Sequence, residues 1–221
     1  MVNIDTVYQK VLMFANKEQR GYITPQEFNL FADHAQKEIF EQYFYDLNQY
    51  MRIHGSTEEY SDIVHNINEK IAIFEKTATS APNSLNNNMY RLGTVIYNGR
   101  EVEEVQQNEI LYMNLSPLTA PKNNRRVYVR TGANTIVVYP GVGSVDYTYI
   151  VTPSKPNWGY VVVNGKAMYN PSQTSNFELH AAEETELVHK ILKVAGLSMK
   201  RDDIAKGGQG LESLQTQQEK Q

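Results

Sequence analysis

Apolar positions recur every three or four residues over three stretches of the first eighty residues, and the spacing predicts three helices. The first spans residues 3–15, with Asn3 or Asp5 as its cap and Val7, Val11, Phe14 and Ala15 on its apolar side. A link over residues 16–24 then turns the chain into an αα-hairpin. The second helix starts at Thr24-Pro25 with Glu27 three residues after the cap. This is a capping box, in which a hydroxyl and a carboxylate each satisfy a backbone N–H left over at the helix start. Its main stripe is Phe28, Phe31, Ala32, Ala35, Ile39, Tyr43, Leu47 and Tyr50. A second row, Leu30, Phe40, Phe44 and Met51, predicts neighbours on more than one side. No Pro or Gly interrupts it before Gly55, so it runs on the order of 40 Å and forms the structural spine. A third helix opens at Ser56-Thr57-Glu58-Glu59, shows Tyr60, Ile63, Ile67, Ile71 and Phe74 on one face, and fades at Thr77–Ala81.

The period changes after the polar loop Pro82–Asn88. Residues 89–170 read as strands at 90–97, 100–105, 126–131, 135–139, 145–152, 159–163 and 166–169, with a short helix at 107–113 and an exposed loop at 114–126. Asn98-Gly99 and Asn164-Gly165 are hairpin dipeptides, because a type I′ turn needs positive φ at both central residues. Val145, Tyr147, Tyr149 and Val151 alternate with Asp146, Thr148 and Ile150, the mark of a half-buried strand. Helix returns at 181–195, with Leu187, Val188, Ile191, Leu192 and Ala195 inward, glutamates near its start and Lys190 and Lys193 near its end, as the helix dipole favours. The remainder carries Gly207, Gly208 and Gly210 and then a polar run with few apolar anchors. It is expected to be disordered alone, or ordered only against a partner.

The expected fold class is α+β: a discontinuous helical bundle (1–81 and 176–197), an inserted antiparallel β-rich domain (82–175) and an extended or disordered C-terminal tail (198–221). Composition narrows the function. The chain has 221 residues, 41 % of them hydrophobic, enough for a real core. A formal net charge of −4 argues against a general basic field for nucleic acid. The lack of cysteine removes disulfides and thiol chemistry and suits a reducing compartment. No apolar run approaches the length of a membrane span, and no signal peptide opens the chain. Fifteen tyrosines against one tryptophan suit surfaces used as protein interfaces.

The candidate chemistry is thin. With Gly21 at the sixth place of a calcium loop, Asn16, Glu18, Ile23 and Glu27 fall at the first, third, eighth and twelfth. Arg20 then stands where an oxygen ligand is required, and the capping box already engages Glu27. His180, Glu183 and Glu184 resemble an inverted zinc motif without its last histidine. Glu186 and His189 have the spacing of a di-iron ligand pair, Asp62 and His65 echo it, and Glu38 and Glu41 are nominal further ligands. Gly141 and Gly143 fit a hairpin turn better than a dinucleotide loop. Lys122, Arg125, Arg126 and Arg130 beside Tyr128 make a small basic cluster, read as a solvated sheet edge rather than a nucleic-acid contact. No catalytic, cofactor or metal residue is assigned.

Two segments carry a resemblance. KVLMFANKEQRGYITPQEFNLFADHAQKEIFEQYFYDLNQ (Lys10–Gln49) resembles the N-terminal hairpin of small virion proteins of tailed phages, notably crAss-like and related phages of Bacteroidetes and marine hosts. NFELHAAEETELVHKILKVAGL (Asn176–Leu197) resembles their C-terminal helix. Together they cover about 60 of the 221 residues. The order of elements is similar to that of head-to-tail adaptor or ring proteins. The resemblance implies a non-enzymatic subunit of a closed homo-oligomeric ring, commonly dodecameric. Such a ring docks on the portal protein and neighbouring connector proteins and lines the channel through which phage DNA passes. It would reside at the head–tail junction of the virion, in the host cytoplasm during assembly, without membrane or cofactor. Another virion or tail structural protein, a calcium-responsive binding module built on residues 16–27, and a metal-dependent hydrolase built on His180, Glu183, Glu184 or His189 are the alternatives.

Overall fold

Two units share the chain. The computed structural model describes residues 1–15, 23–52, 58–198 and 208–214. One unit comprises Met1–Ile73 and Pro153–Gln221, the other Phe74–Thr152. The class is α+β.

In the first unit, helices α1 (Ile4–Ala15), α2 (Pro25–Arg52) and α3 (Glu58–Ala72) are followed, after the second unit, by α5 (Glu184–Ser198). The final helix returns to pack on α1 and α2, and α3 packs on α2. Val7, Val11 and Ala15 of α1, Phe28, Ala32, Ala35 and Ile39 of α2, and Leu187, Val188, Ile191 and Leu192 of α5 are buried as expected, with Ile4 beside them. Of the second row of α2, Phe40 and Phe44 are buried; Phe14, Leu30 and Met51 are instead exposed, at the ends of those stripes. Each buried Val, Leu, Ile or Phe side chain contributes roughly 1.5–3 kcal/mol by leaving water, and the alanines less. The capping box is formed. The Thr24 backbone N–H donates to Glu27 Oε2 at 2.9 Å and the Glu27 N–H donates to Thr24 Oγ1 at 3.3 Å. Gln36 of α2 is buried among these apolar positions. It donates to the Ser154 carbonyl at 2.7 Å and accepts from the Glu178 N–H at 3.1 Å, so one amide bridges two returning segments.

The second unit holds a six-stranded sheet in the order β1-β6-β2-β3-β4-β5: β1 (Glu75–Ser80), β2 (Met89–Tyr97), β3 (Arg100–Glu104), β4 (Val127–Gly132), β5 (Thr135–Tyr139) and β6 (Val145–Val151). The loop after β1 reaches the far edge, where Ile136 N–H donates to Pro82 O and Leu85 N–H to Asn134 O, both at 2.9 Å, so the sheet is curled. Val145, Tyr147 and Tyr149 of β6 point into the core with Val95, Val102, Tyr128 and Ile136, as the alternation requires. Helix α4 (Gln107–Leu115) covers Val127 and Val129 with Ile110.

Three expectations are corrected. The third helix does not fade through 77–81. It ends at Ala72, and Glu75–Ser80 is a strand paired with β6, where Thr77 and Thr79 suit a sheet better than a helix and Thr79 donates to Asp146 at 2.6 Å. The sheet is not wholly antiparallel: β3 and β4 run parallel, because α4 carries the chain back between them. The β insertion is not 82–175 but 74–152. The remaining strands, β7 (Tyr160–Val163) and β8 (Lys166–Tyr169), form a separate hairpin in the helical unit. Trp158 holds them there. Its indole N–H donates to Asp5 at 2.9 Å, its backbone N–H donates to Asn29 at 2.7 Å, and its ring lies 4.2 Å from that of Tyr8. Among the described residues no helix is long and apolar enough to cross a membrane.

Candidate functional site

A buried charged network of the helical unit lies where α2, α5 and residues 208–214 meet. Lys190 faces α2 and is only 1 % exposed. Its ammonium lies 3.0 Å from Glu38 and 3.3 Å from Gln42 on α2, 3.5 Å from Glu186 one turn earlier on α5, and 2.9 Å from Glu212. Glu212 binds Lys193 as well, at 2.9 Å. Burial alone would lower the Lys190 pKa, but the hydrogen bonds of Glu212 and Glu38 and the charge of Glu186 outweigh it and hold the value above the ordinary lysine range. Burial likewise works to raise Glu212, and its two lysine partners bring it below the ordinary carboxylate range. The tail is therefore not wholly extended: residues 208–214 are helical and seated on α5. Gly208 makes the approach possible, since a Cβ there would lie 2.9 Å from the Lys193 backbone nitrogen. Residues 199–207 and 215–221 of the expected tail lie outside the described residues.

Adjoining this network, and sharing Gln42 and Glu186 with it, a cleft of about 430 Å³ opens between α2, α3 and the start of α5, lined also by Ile39, Tyr43, Ile63, Ile67 and Lys70. The buried Glu183 carboxylate lies 2.6 Å from Lys70, a charge pair rather than an aligned hydrogen bond, and Lys70 sits 5.7 Å over the Tyr43 ring.

Of the hydrolase and di-iron candidates, His180 and Glu186 line this cleft, and several of them are engaged elsewhere. His180 Nδ1 accepts the Ala182 N–H at 3.2 Å and caps a short 3₁₀ turn. Glu183 is held by Lys70, Glu184 by Lys10, and Glu186 and Glu38 by Lys190. His65 faces Glu69 on an exposed side of α3. Among the described residues no group of three His, Cys, Asp or Glu side chains is placed to hold a metal ion. Of the calcium-loop positions, Asn16, Glu18, Arg20 and Gly21 lie outside the described residues. Ile23 is buried and Glu27 is engaged by Thr24, whose hydroxyl and N–H hold its pKa below the usual value.

In the β unit, the basic cluster is turned to internal use. Arg126 donates to Pro140 O at 2.6 Å and stacks 4.6 Å over Tyr97. Arg130 donates to the Gly132 and Ala133 carbonyls, and Arg125 pairs with Glu103. Burial, with the Glu104 carboxylate beside it, pushes the Tyr128 phenol up to about 12.

The second distinctive surface is the β7–β8 hairpin. Asn164 and Gly165 adopt φ of 50° and 75°, the turn expected of them. Tyr160 and Tyr169 pair across the strands and flank Trp158 at 5.9 and 5.8 Å. The opposite face carries the pair Val161–Met168, 48 % and 57 % exposed, and Val163 beside it. Beyond each other, neither strand has a ladder partner among the described residues.

Periodicity did not reveal the Lys190 network. Lys190 reads as a dipole lysine, and Glu212 lies in a segment with no apolar pattern. The hairpin surface did have a signal, in the run Val161-Val162-Val163 beside a turn that fixes its register. No protein-family model matches the chain, and no curated protein matches it.

Proposed function

We propose that this protein works by assembly: it is a structural subunit of a ring, the head-to-tail adaptor of a tailed-phage virion, joining portal to tail around the DNA channel. The observation that carries the assembly reading is the β7–β8 hairpin. A two-stranded ladder is marginal on its own and gains stability when an apolar face is covered. Here one face is anchored on Trp158 and the other, with Val161, Val163 and Met168, is open to water. Two outer edges without a ladder partner among the described residues offer backbone hydrogen bonds to a neighbour. A contact between such a hairpin and a different surface of the next copy is head-to-tail, and it closes into a ring when the rotation is right. The resemblance of Lys10–Gln49 and Asn176–Leu197 to phage connector proteins is what supports reading the ring as a virion connector. The net charge of −4 suits a channel along which DNA slides, since each cationic phosphate contact would add affinity.

The test is the mass of the purified protein, alone and mixed with a portal protein of its phage. A closed ring of fixed copy number that binds the portal is expected. A chain that stays monomeric in both conditions contradicts the reading. Tight calcium binding abolished by Glu27→Gln would favour the binding module instead.

A further inference from the structure

We propose that the open face of the β7–β8 hairpin takes, as its partner, the outer face of α4 on a second copy of the chain. The inference rests on the reading of this protein as a self-assembling subunit and adds to it the surface that receives the hairpin. Helix α4 has two unlike sides. Ile110 and Met113 are turned onto Val127 and Val129 of β4. On the other side Leu111, Tyr112 and Leu115, with Leu118 in the following turn, are from 66 % to 87 % exposed. Leu111, Leu115 and Leu118 recur at i, i+4 and i+7, the spacing of a stripe that packs on a neighbour. The turn is fastened to the helix, since the Thr119 hydroxyl donates to Met113 O at 3.0 Å and the Ala120 N–H donates to Ser116 O at 2.9 Å.

Three observations join this stripe to the hairpin. The first is form. A two-stranded ladder gains independent stability by packing its apolar face against a helix, and the open face of Val161, Val163 and Met168 lacks one. The second is spacing. Leu111 and Leu115 stand about 6 Å apart along a helix axis, and Val161 and Val163 about 7 Å apart along a strand, so the two rows can interleave. The third is charge complementarity. Glu109 is the only charged residue between Val105 and Pro121, and Lys166 is the only one between Pro156 and Phe177. Glu109 lies one turn before Tyr112 at the rim of the stripe, and Lys166 pairs with Val163 on the open face of the hairpin. Both are exposed, and neither is in an ion pair among the described residues. Every copy therefore carries both halves of the match, an apolar strand face with one lysine and an apolar helix stripe with one glutamate. The two surfaces differ, so the contact is head-to-tail, and each one formed covers an apolar face on both partners.

The test is complementation between full-length variants, read by sedimentation. Val161→Glu/Met168→Glu removes the hairpin face, and Leu111→Glu/Leu115→Glu removes the stripe. All four positions are exposed, so both variants are expected to melt as the wild type does. Each alone is expected to be monomeric. Mixed in equal amounts they are expected to form a one-to-one dimer and nothing larger, because the pair retains one intact hairpin and one intact stripe. A stripe variant that assembles as the wild type does, or a mixture that stays monomeric, overturns the pairing and leaves assembly through the hairpin standing. A wild type that never assembles overturns both. Charge reversal gives a second measurement that leaves the apolar faces untouched. Glu109→Lys and Lys166→Glu are each expected to weaken assembly about tenfold, and the two together in one chain to restore it. A doubly reversed chain as weak as the single variants overturns the pairing.

Discussion

Two hairpins of this protein share a turn and differ in everything around it. Asn98-Gly99 and Asn164-Gly165 both place an Asn at φ 50° and a Gly in the left-handed region, and both fix the register of their strands. In the first, the cross-strand pair Val95–Val102 is 1 % and 3 % exposed and lies in the core of a six-stranded sheet. In the second, the equivalent apolar pair Val161–Met168 faces water. Turn chemistry sets how strands align, and the rest of the chain decides whether their side chains are covered. The uncovered hairpin, with Val161, Val163 and Met168 exposed beside Lys166, is the one on which the proposal of assembly rests.

The comparison can be broken most forcefully at Trp158. Trp158→Ala removes the ring on which Tyr8, Tyr160 and Tyr169 rest and leaves the Asp5 carboxylate without its indole partner. A loss of about 3–5 kcal/mol in the helical unit is expected, with the six-stranded sheet retaining its own amide protection. Hydrogen exchange resolved by segment checks it, and equal loss in both units would show that Trp158 does more than anchor the second hairpin. Val95→Ala comes next. Loss of two buried methyl groups from the first hairpin is expected to cost about 2 kcal/mol in denaturant unfolding.

A smaller effect concerns residues 208–214. Glu212 has its pKa depressed, so its contribution is fully present above the ordinary carboxylate value and is lost as pH falls through the depressed one. The groups that face it are Lys190 and Lys193, with Glu38, Glu186 and Gln42 around Lys190. Between pH 7 and 5 the segment is expected to hold, and below about pH 4 to loosen, with proteolysis after residue 206 as the readout. Release already at pH 6 would mean that Glu212 does not hold it. The smallest effect completes the contrast: Val161→Thr, in the second hairpin, is expected to change unfolding of the monomer by no more than about 0.5 kcal/mol.

Local rules carried the sequence reading a long way. The capping box at Thr24 and Glu27, both Asn-Gly turns, the inward tyrosines of β6 and the buried stripe of α5 each follow from spacing over fewer than ten residues. What escaped depends on partners far along the chain. Glu75–Ser80 looked like a fading helix because its strand identity comes from β6, about 70 residues later. The unit to which β7 and β8 belong is decided by Trp158 meeting Asp5, 153 positions away. Lys190 meets Glu38 across 152 positions and Glu212 across 22, and an ion pair has no period. Of the candidate metal ligands, His180 and Glu186 line the cleft, and Glu183, Glu184, Glu186 and Glu38 each have a lysine in place, a pairing that composition cannot reveal.

The most direct test of assembly through the open hairpin is sedimentation of the wild-type chain beside a Val161→Glu/Met168→Glu variant over a range of concentrations. The wild type is expected to form a ring of fixed mass, and the variant to remain a monomer with an unchanged melting temperature. A variant that assembles as the wild type does, or a wild type that never assembles, would contradict it.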